Sequence, residues 1–367
     1  MHFLIRREWS LLVSYATAAV FFLFHQALLQ KMESPLWAGL AFVWLFAVIL
    51  LSAFAVVRHS EIVASIVGEP YGTLVLTFAI TAIEVMMIAA VMLTGPRESA
   101  LARDTMFAVV MIVFNGMAGL TLLVGGLRYH EQTYNLQGAN AFLAVTIPLA
   151  VIGLVLPNFT ESSPGPTLSA VHEVFLIFMS VGLYAVFLAI QTLRHRHYFL
   201  SPGERDEEAA GAHPEQLVAA PWHGALLLAH IVPIILLSKQ IAVPIDYGVR
   251  VFGAPQAVVG FLVAALILSP ESLAAVRAAL ANQLQRSINL LLGSVLASIS
   301  LTIPAVLAIG LATGRTVVLG LAPADSIMLV LTLGIATLTF ASGRSNVLLG
   351  AVHLLLFLAY LMMLFER

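Results

Sequence analysis

The sequence has no cysteine and little charge: of 367 residues, only 10% are Asp, Glu, Lys or Arg. Without thiols there is no disulfide, no iron–sulfur cluster and no thiolate zinc site. A soluble domain is about a quarter charged. A chain this poor in charge and 60% hydrophobic has too little polar surface to cover itself in water. The mean hydropathy of +1.00 points the same way. Composition therefore excludes soluble and disordered classes. A net charge of −2 gives no basis for a nucleic-acid partner. No phosphate-cradling P-loop is present, and His172-Glu173 lacks the second histidine of HExxH. No nucleophile–base pair stands out either. The expectation is a protein that is not an enzyme and carries no resident cofactor.

What is present is long apolar runs. About 20 such residues cross a hydrocarbon core as a helix, and about eleven runs of that kind recur between Trp9 and Phe365. The first, Trp9 to Leu29, is too long for a signal-peptide core and lacks a small-residue cleavage site, so it is expected to remain. The fold class is an all-α polytopic membrane protein. Basic residues gather in the loops that include Arg6, Arg7, Arg194 and Arg196. By the positive-inside tendency the amino end is expected to be cytoplasmic.

One connection is long and polar, Arg194 to Glu215, with Glu204, Arg205, Asp206, Glu207 and Glu208 in it. It reads as a solvated linker between two halves. The expected organisation is an extra helix over 1–33, a five-helix repeat over 34–193, the cytoplasmic linker over 194–220 and a second five-helix repeat over 221–367. Repeats with an odd number of spans insert in opposite orientations, as in many secondary transporters. Faint self-similarity supports the pairing. AIEVMMIAAVM carries Glu84 and SPESLAAVRAA carries Glu271, and each is followed by a helix rich in small and amide residues.

Those two carboxylates are the chemical signal. Glu84 falls roughly 18 Å into its span at 1.5 Å per residue, with Thr77 and Thr81 on the same face. An acid at helix centre costs about 2.5–3.5 kcal/mol to insert, and lone intramembrane acids mark ion or proton routes. No Lys or Arg lies within the apolar body of a span; Arg277, near Glu271, comes closest. Ser269-Pro270-Glu271 has the cap, proline and acid of a helix start, which predicts a broken helix inside the apolar stretch. Asn115, Asn282, Gln283, Asn289, Ser294 and Ser298 suit either helix–helix packing or neutral oxygen ligation. Asp246 and Arg250, four apart, read as a local ion pair.

At these residues the sequence resembles a known family. NQLQRSINLLLGSVLASISLTIP, SGRSNVLLGAVHLLLFLAYLMM and GEPYGTLVLTFAITAIEV are similar to segments of the cation/proton exchangers of the calcium/cation antiporter superfamily, in the ChaA-type branch of calcium (sodium)/proton antiporters. The resemblance runs from about Gly68 to Phe365. It implies an eleven-helix exchanger with one essential acid per repeat, on Glu84 and Glu271, where cations and protons bind in turn. Thr81, Asn115, Ser269, Asn289 and Ser294 are the supporting polar residues. One departure stands out: the family's Gly-Asn before each acid is replaced by Ile80-Thr81 and Ile267-Leu268. Fewer neutral oxygens then surround the carboxylates, which favours a monovalent ion beside calcium. The expected function is antiport of Ca2+, or of Na+ or K+, against H+ by alternating access. A strictly monovalent antiporter and an uncoupled cation channel are the alternatives. The partners are inorganic cations, protons and membrane lipid.

Overall fold

Apolar runs bounded by Pro, Gly and short polar breaks fold as helices because every backbone group in lipid must be satisfied within its own segment. A computed structural model describes residues 8–31, 34–67, 71–94, 98–201, 220–253 and 255–366. Among these, nine helices are long and apolar enough to cross a membrane, with shorter apolar helices at Trp9–Leu23 and Thr77–Ala90. The chain is a multi-pass, all-α membrane protein, as its composition requires. The acidic part of the linker lies outside the described residues. Large apolar side chains such as Phe22, Phe178, Ile327 and Leu348 face outward, where lipid rather than water is the fitting solvent.

The residues form two compact units, each drawing on both sides of the linker. The first comprises Met1–Gly95 and Ala210–Val259, the second Pro96–Ala209 and Gly260–Arg367.

In the first unit, helices Pro35–Val67 and Ala220–Phe252 pack along one another and against Tyr71–Thr94. The Trp9–Leu23 helix is tied on by hydroxyls: Ser14 and Ser52 share a 2.6 Å hydrogen bond, and Trp44 Nε1 donates to Thr17 at 3.2 Å. Small polar groups commonly join helices in this way in membranes. The Ala220–Phe252 helix passes through Pro233 and Pro244. Its last turns carry the expected Asp246–Arg250 ion pair at 2.9 Å, on the surface.

In the second unit, the helical spans Leu101–Tyr129 and Leu284–Thr313 each contain a π-helical segment, Met111–Met117 in one and Ser298–Thr302 in the other. A π segment inserts an extra residue per turn and re-aims the side chains after it, often at functional sites. Short strands fasten the ends. Glu98–Ser99 pairs in parallel with Thr316–Val317, and Gln132–Thr133 pairs antiparallel with Arg344–Ser345. The turn before the last strand has Gly343 at φ 68°, a conformation glycine adopts without steric penalty. Asn346 then caps the Val347–Phe365 helix, accepting from the Leu349 N–H at 3.0 Å.

That last helix crosses Leu101–Tyr129 at glycines. A Cβ on Gly350 would stand 2.5 Å from the Leu123 nitrogen, and one on Gly119 would stand 2.8 Å from the Leu354 nitrogen. Contact this close is how membrane helices gain packing without a hydrophobic drive. A similar approach occurs at Gly260, where a Cβ would lie 2.7 Å from the Asp104 backbone.

The expected helix start at Ser269-Pro270 is not observed. Helix Ala257–Leu280 runs unbroken through Pro270. Ser269 does not cap; its hydroxyl donates to Ala265 O at 2.5 Å, and Ser272 donates to Leu268 O at 2.8 Å. These back-bonds occupy carbonyls next to the proline, which supplies no N–H of its own. The helix therefore continues where a capping serine would have begun a new one.

Candidate functional site: two mid-helix carboxylates

Five carboxylic side chains are buried among the described residues: Glu84, Asp104, Glu173, Glu271 and Asp325. Three of them, Asp104, Glu173 and Asp325, occupy the first turn of their helices. There the positive end of the helix dipole favours a negative charge. Glu84 and Glu271 have no such help, because each lies in the interior of a 24-residue helix. Position along the helix thus separates these two acids from the other three.

In the first unit, Glu84 is 1% exposed, on a helix packed against Pro35–Val67 and Ala220–Phe252. Thr81, one turn earlier, is also buried, and Thr77 is half-buried. The face predicted from the spacing is therefore an inward face.

In the second unit, Glu271 is 6% exposed and accepts a hydrogen bond from the Ser294 hydroxyl. A hydroxyl donor strengthens when its acceptor is ionised, so this contact is suited to holding a carboxylate and to releasing it when a proton arrives. Among the described residues no Lys or Arg, Arg277 included, forms an ion pair with Glu271. Ser294 lies on the helix ahead of its π segment, in the Gly-Ser sequence that the motif singled out.

The remaining polar candidates are used differently. Ser269 is bonded within its own helix, as described above. Asn289 fastens helix to loop: its Nδ2 donates to Phe199 O at 2.6 Å, and its Oδ1 accepts from Gln285 Nε2 at 2.9 Å. Asn115, fully buried in the first π segment, donates to Thr332 Oγ1 at 2.8 Å and accepts at Oδ1 from His353 Nδ1 at 3.1 Å. His353 Nε2 in turn lies 2.9 Å from Thr339 Oγ1. With Nδ1 donating to the amide oxygen, Nε2 of a neutral imidazole accepts from the threonine.

Sequence offers no sign of Thr332 and His353 as partners of Asn115, or of Thr339 as the partner of His353. The only local hint is a single histidine in the apolar run VHLLLFLAY. The network fills a buried polar region in which each member satisfies the next, an arrangement that rigidifies a core.

Known proteins resemble the chain over most of its length. A profile of the sodium/calcium exchanger protein family matches residues 37–193 and 222–366. The chain is 47% identical over 318 residues to y4hA of Sinorhizobium fredii, covering 85% of each chain. It is 41% identical over 319 residues to the sodium-potassium/proton antiporter ChaA of Escherichia coli, covering 86% of each. Among solved structures, native YfkE superposes with a TM-score of 0.75 at 16% identity, over 98% of this chain and 100% of the other. YfkE is described as a Ca2+/H+ antiporter protein.

Proposed function

For a chain that belongs to the sodium/calcium exchanger protein family, we propose secondary active antiport of cations against protons, with Glu84 and Glu271 as the carboxylates that bind them. The observation that carries this reading is the burial of these two acids in helix interiors, away from the helix-start positions that account for the other buried acids. Inserting each acid costs about 2.5–3.5 kcal/mol as a charge. A bound cation or a bound proton removes that charge, so the loaded states are the ones suited to cross. If the empty, doubly charged state crosses rarely, cation and proton movements are coupled.

Calcium takes six to eight oxygens at about 2.3–2.6 Å. Each carboxylate therefore needs help from further oxygens: Thr81, one turn from Glu84, Ser294, which bonds Glu271, backbone carbonyls or water. Asn115 and Asn289 support the site through the elements they fasten, and Ser269 through its bond within the helix that carries Glu271. Ile80-Thr81 and Ile267-Leu268 supply few neutral oxygens beside the acids. That scarcity favours Na+ or K+ alongside Ca2+, in line with the sodium-potassium/proton antiporter that is the Escherichia coli relative. The reading places the protein in the inner membrane with its amino end cytoplasmic. It retains the two inverted repeats, 34–193 and 221–367, joined by the linker over 194–220 and preceded by the extra helix over 1–33.

The test offers Ca2+, Na+ and K+ separately to everted vesicles across a pH series. Cation-dependent proton release supports antiport and its profile ranks the ions. Release with Na+ and K+ alone identifies a monovalent antiporter, and cation flux without a pH change identifies a channel and overturns the proposal.

A further inference from the structure

The first unit holds a second group of ionisable side chains that the transport cycle does not use. Glu8 lies immediately before the Trp9–Leu23 helix, His59 lies late in Pro35–Val67, and His223 and His230 lie early in Ala220–Phe252. His59 and His230 are 1% and 0% exposed. Glu8 Oε2 lies 3.2 Å from His59 Nε2 and 3.3 Å from His230 Nε2. One ligand atom from each of the three residues falls within 4.8 Å of the others. The rings of His59 and His230 stack with centroids 5.8 Å apart.

We propose that Glu8, His59 and His230 form a binding site for a divalent transition-metal ion of the zinc type, separate from the carboxylates that take the transported cation. Zinc binds imidazole nitrogen and carboxylate oxygen at about 2.0–2.2 Å in a tetrahedron, whose edges are then about 3.3 Å. The two edges that meet at Glu8 Oε2, 3.2 and 3.3 Å, have that length. Two histidines and one carboxylate with an open fourth position are a known zinc donor set. Imidazole ligands also select against calcium, which prefers oxygen.

Hydrogen bonding at His59 supports a cation. Its Nε2 lies 3.2 Å from Arg58 Nη2, which only donates, and 3.2 Å from a Glu8 oxygen, which accepts when ionised. A neutral imidazole satisfies one of these contacts and opposes the other. With a metal on Nε2 and Oε2, both lone pairs are used. Nδ1–H then donates to His223 Nδ1 at 2.9 Å, the outer contact that orients a metal-bound histidine. His230, fully buried, has Glu8 as its hydrogen-bonding partner.

Arg58 is the competitor. Its Nη2 sits 2.9 and 2.7 Å from the two Glu8 oxygens, and its side chain is 38% exposed at the rim. A metal replaces this guanidinium as the counter-charge of Glu8, and Arg58 swings outward. Bound metal then ties the start of the first helix to two long helices of the same unit.

The experiment uses the full-length protein in detergent, with any affinity tag removed, stripped by chelator and titrated with Co2+ and with Zn2+. Wild type is expected to show ligand-field absorption of tetrahedral Co2+, displaced by Zn2+ and not by Ca2+. A His59→Asn/His230→Asn protein is expected to bind at least about tenfold more weakly. Arg58→Ala keeps all three ligands and removes the competing charge, so it is expected to bind about tenfold more tightly; this gain does not depend on the histidine variant folding. The proposal is overturned if wild type gives no tetrahedral spectrum, if the spectrum persists unchanged without the two histidines, or if Arg58→Ala binds no tighter. Proton release from vesicles is a separate readout, so the metal site and the antiport reading fail independently.

Discussion

The Ser294 hydroxyl donates its hydrogen bond to the Glu271 carboxylate, joining two helices of the second unit at a buried acid. A hydrogen bond to a charged group contributes about 1.5–3 kcal/mol. Ser294→Ala is expected to lower cation-driven proton release at least about tenfold at limiting cation. Ser294→Thr, which keeps the hydroxyl, retains most of it. Initial rates in everted vesicles at several cation concentrations check this, with expression and melting temperature held comparable.

The Asn115–His353 pair is expected to act chiefly on stability. Asn115→Leu leaves His353 Nδ1 and Thr332 Oγ1 without their buried partner, and each orphaned group costs about 1–3 kcal/mol. The melting temperature of the detergent-solubilised protein should fall for Asn115→Leu and for His353→Leu. The double variant should lose less than the sum, since the two share one network.

Gly350 is expected to tolerate no side chain. The nearest atoms to an added Cβ are backbone, the Leu123 nitrogen at 2.5 Å and the Gly119 oxygen at 2.8 Å. Backbone does not yield as a flexible side chain does, so Gly350→Ala must push two helices apart. Overpacking of this kind costs about 1–3 kcal/mol. A thermal melt of Gly350→Ala beside Gly334→Ala, where a Cβ meets open space, isolates the crossing from the general loss of a glycine.

Much of the fold was readable because lipid imposes a simple rule on sequence. The apolar pattern that begins at Trp9 and ends at Phe365 is helical at both limits, in Trp9–Leu23 and Val347–Phe365. The two acids were readable for the same reason: a charge in an apolar run has no local excuse. What sequence cannot distinguish is a helix start from a helix passing through proline. Ser269-Pro270-Glu271 carries the same three residue types in either case, and the outcome is decided by whether Ser269 bonds forward to an N–H or backward to Ala265 O.

Partnerships across long separations were equally hidden. Nothing near Glu8 announces His59 or His230, which lie in separate helices. Asn289 looks like a ligand until Phe199 O is found against it. The π segments had no signature either, since their hydrogen-bond shift is settled by packing with neighbours and not by local propensity.

The central claim is that Glu84 and Glu271 exchange a cation for protons, and proton release from everted vesicles tests it most directly. With the wild-type protein, adding the transported cation to acid-loaded vesicles should discharge the pH gradient. Glu84→Gln and Glu271→Gln, each inserted at wild-type levels, should leave the gradient standing. Full discharge by either glutamine variant would contradict the account.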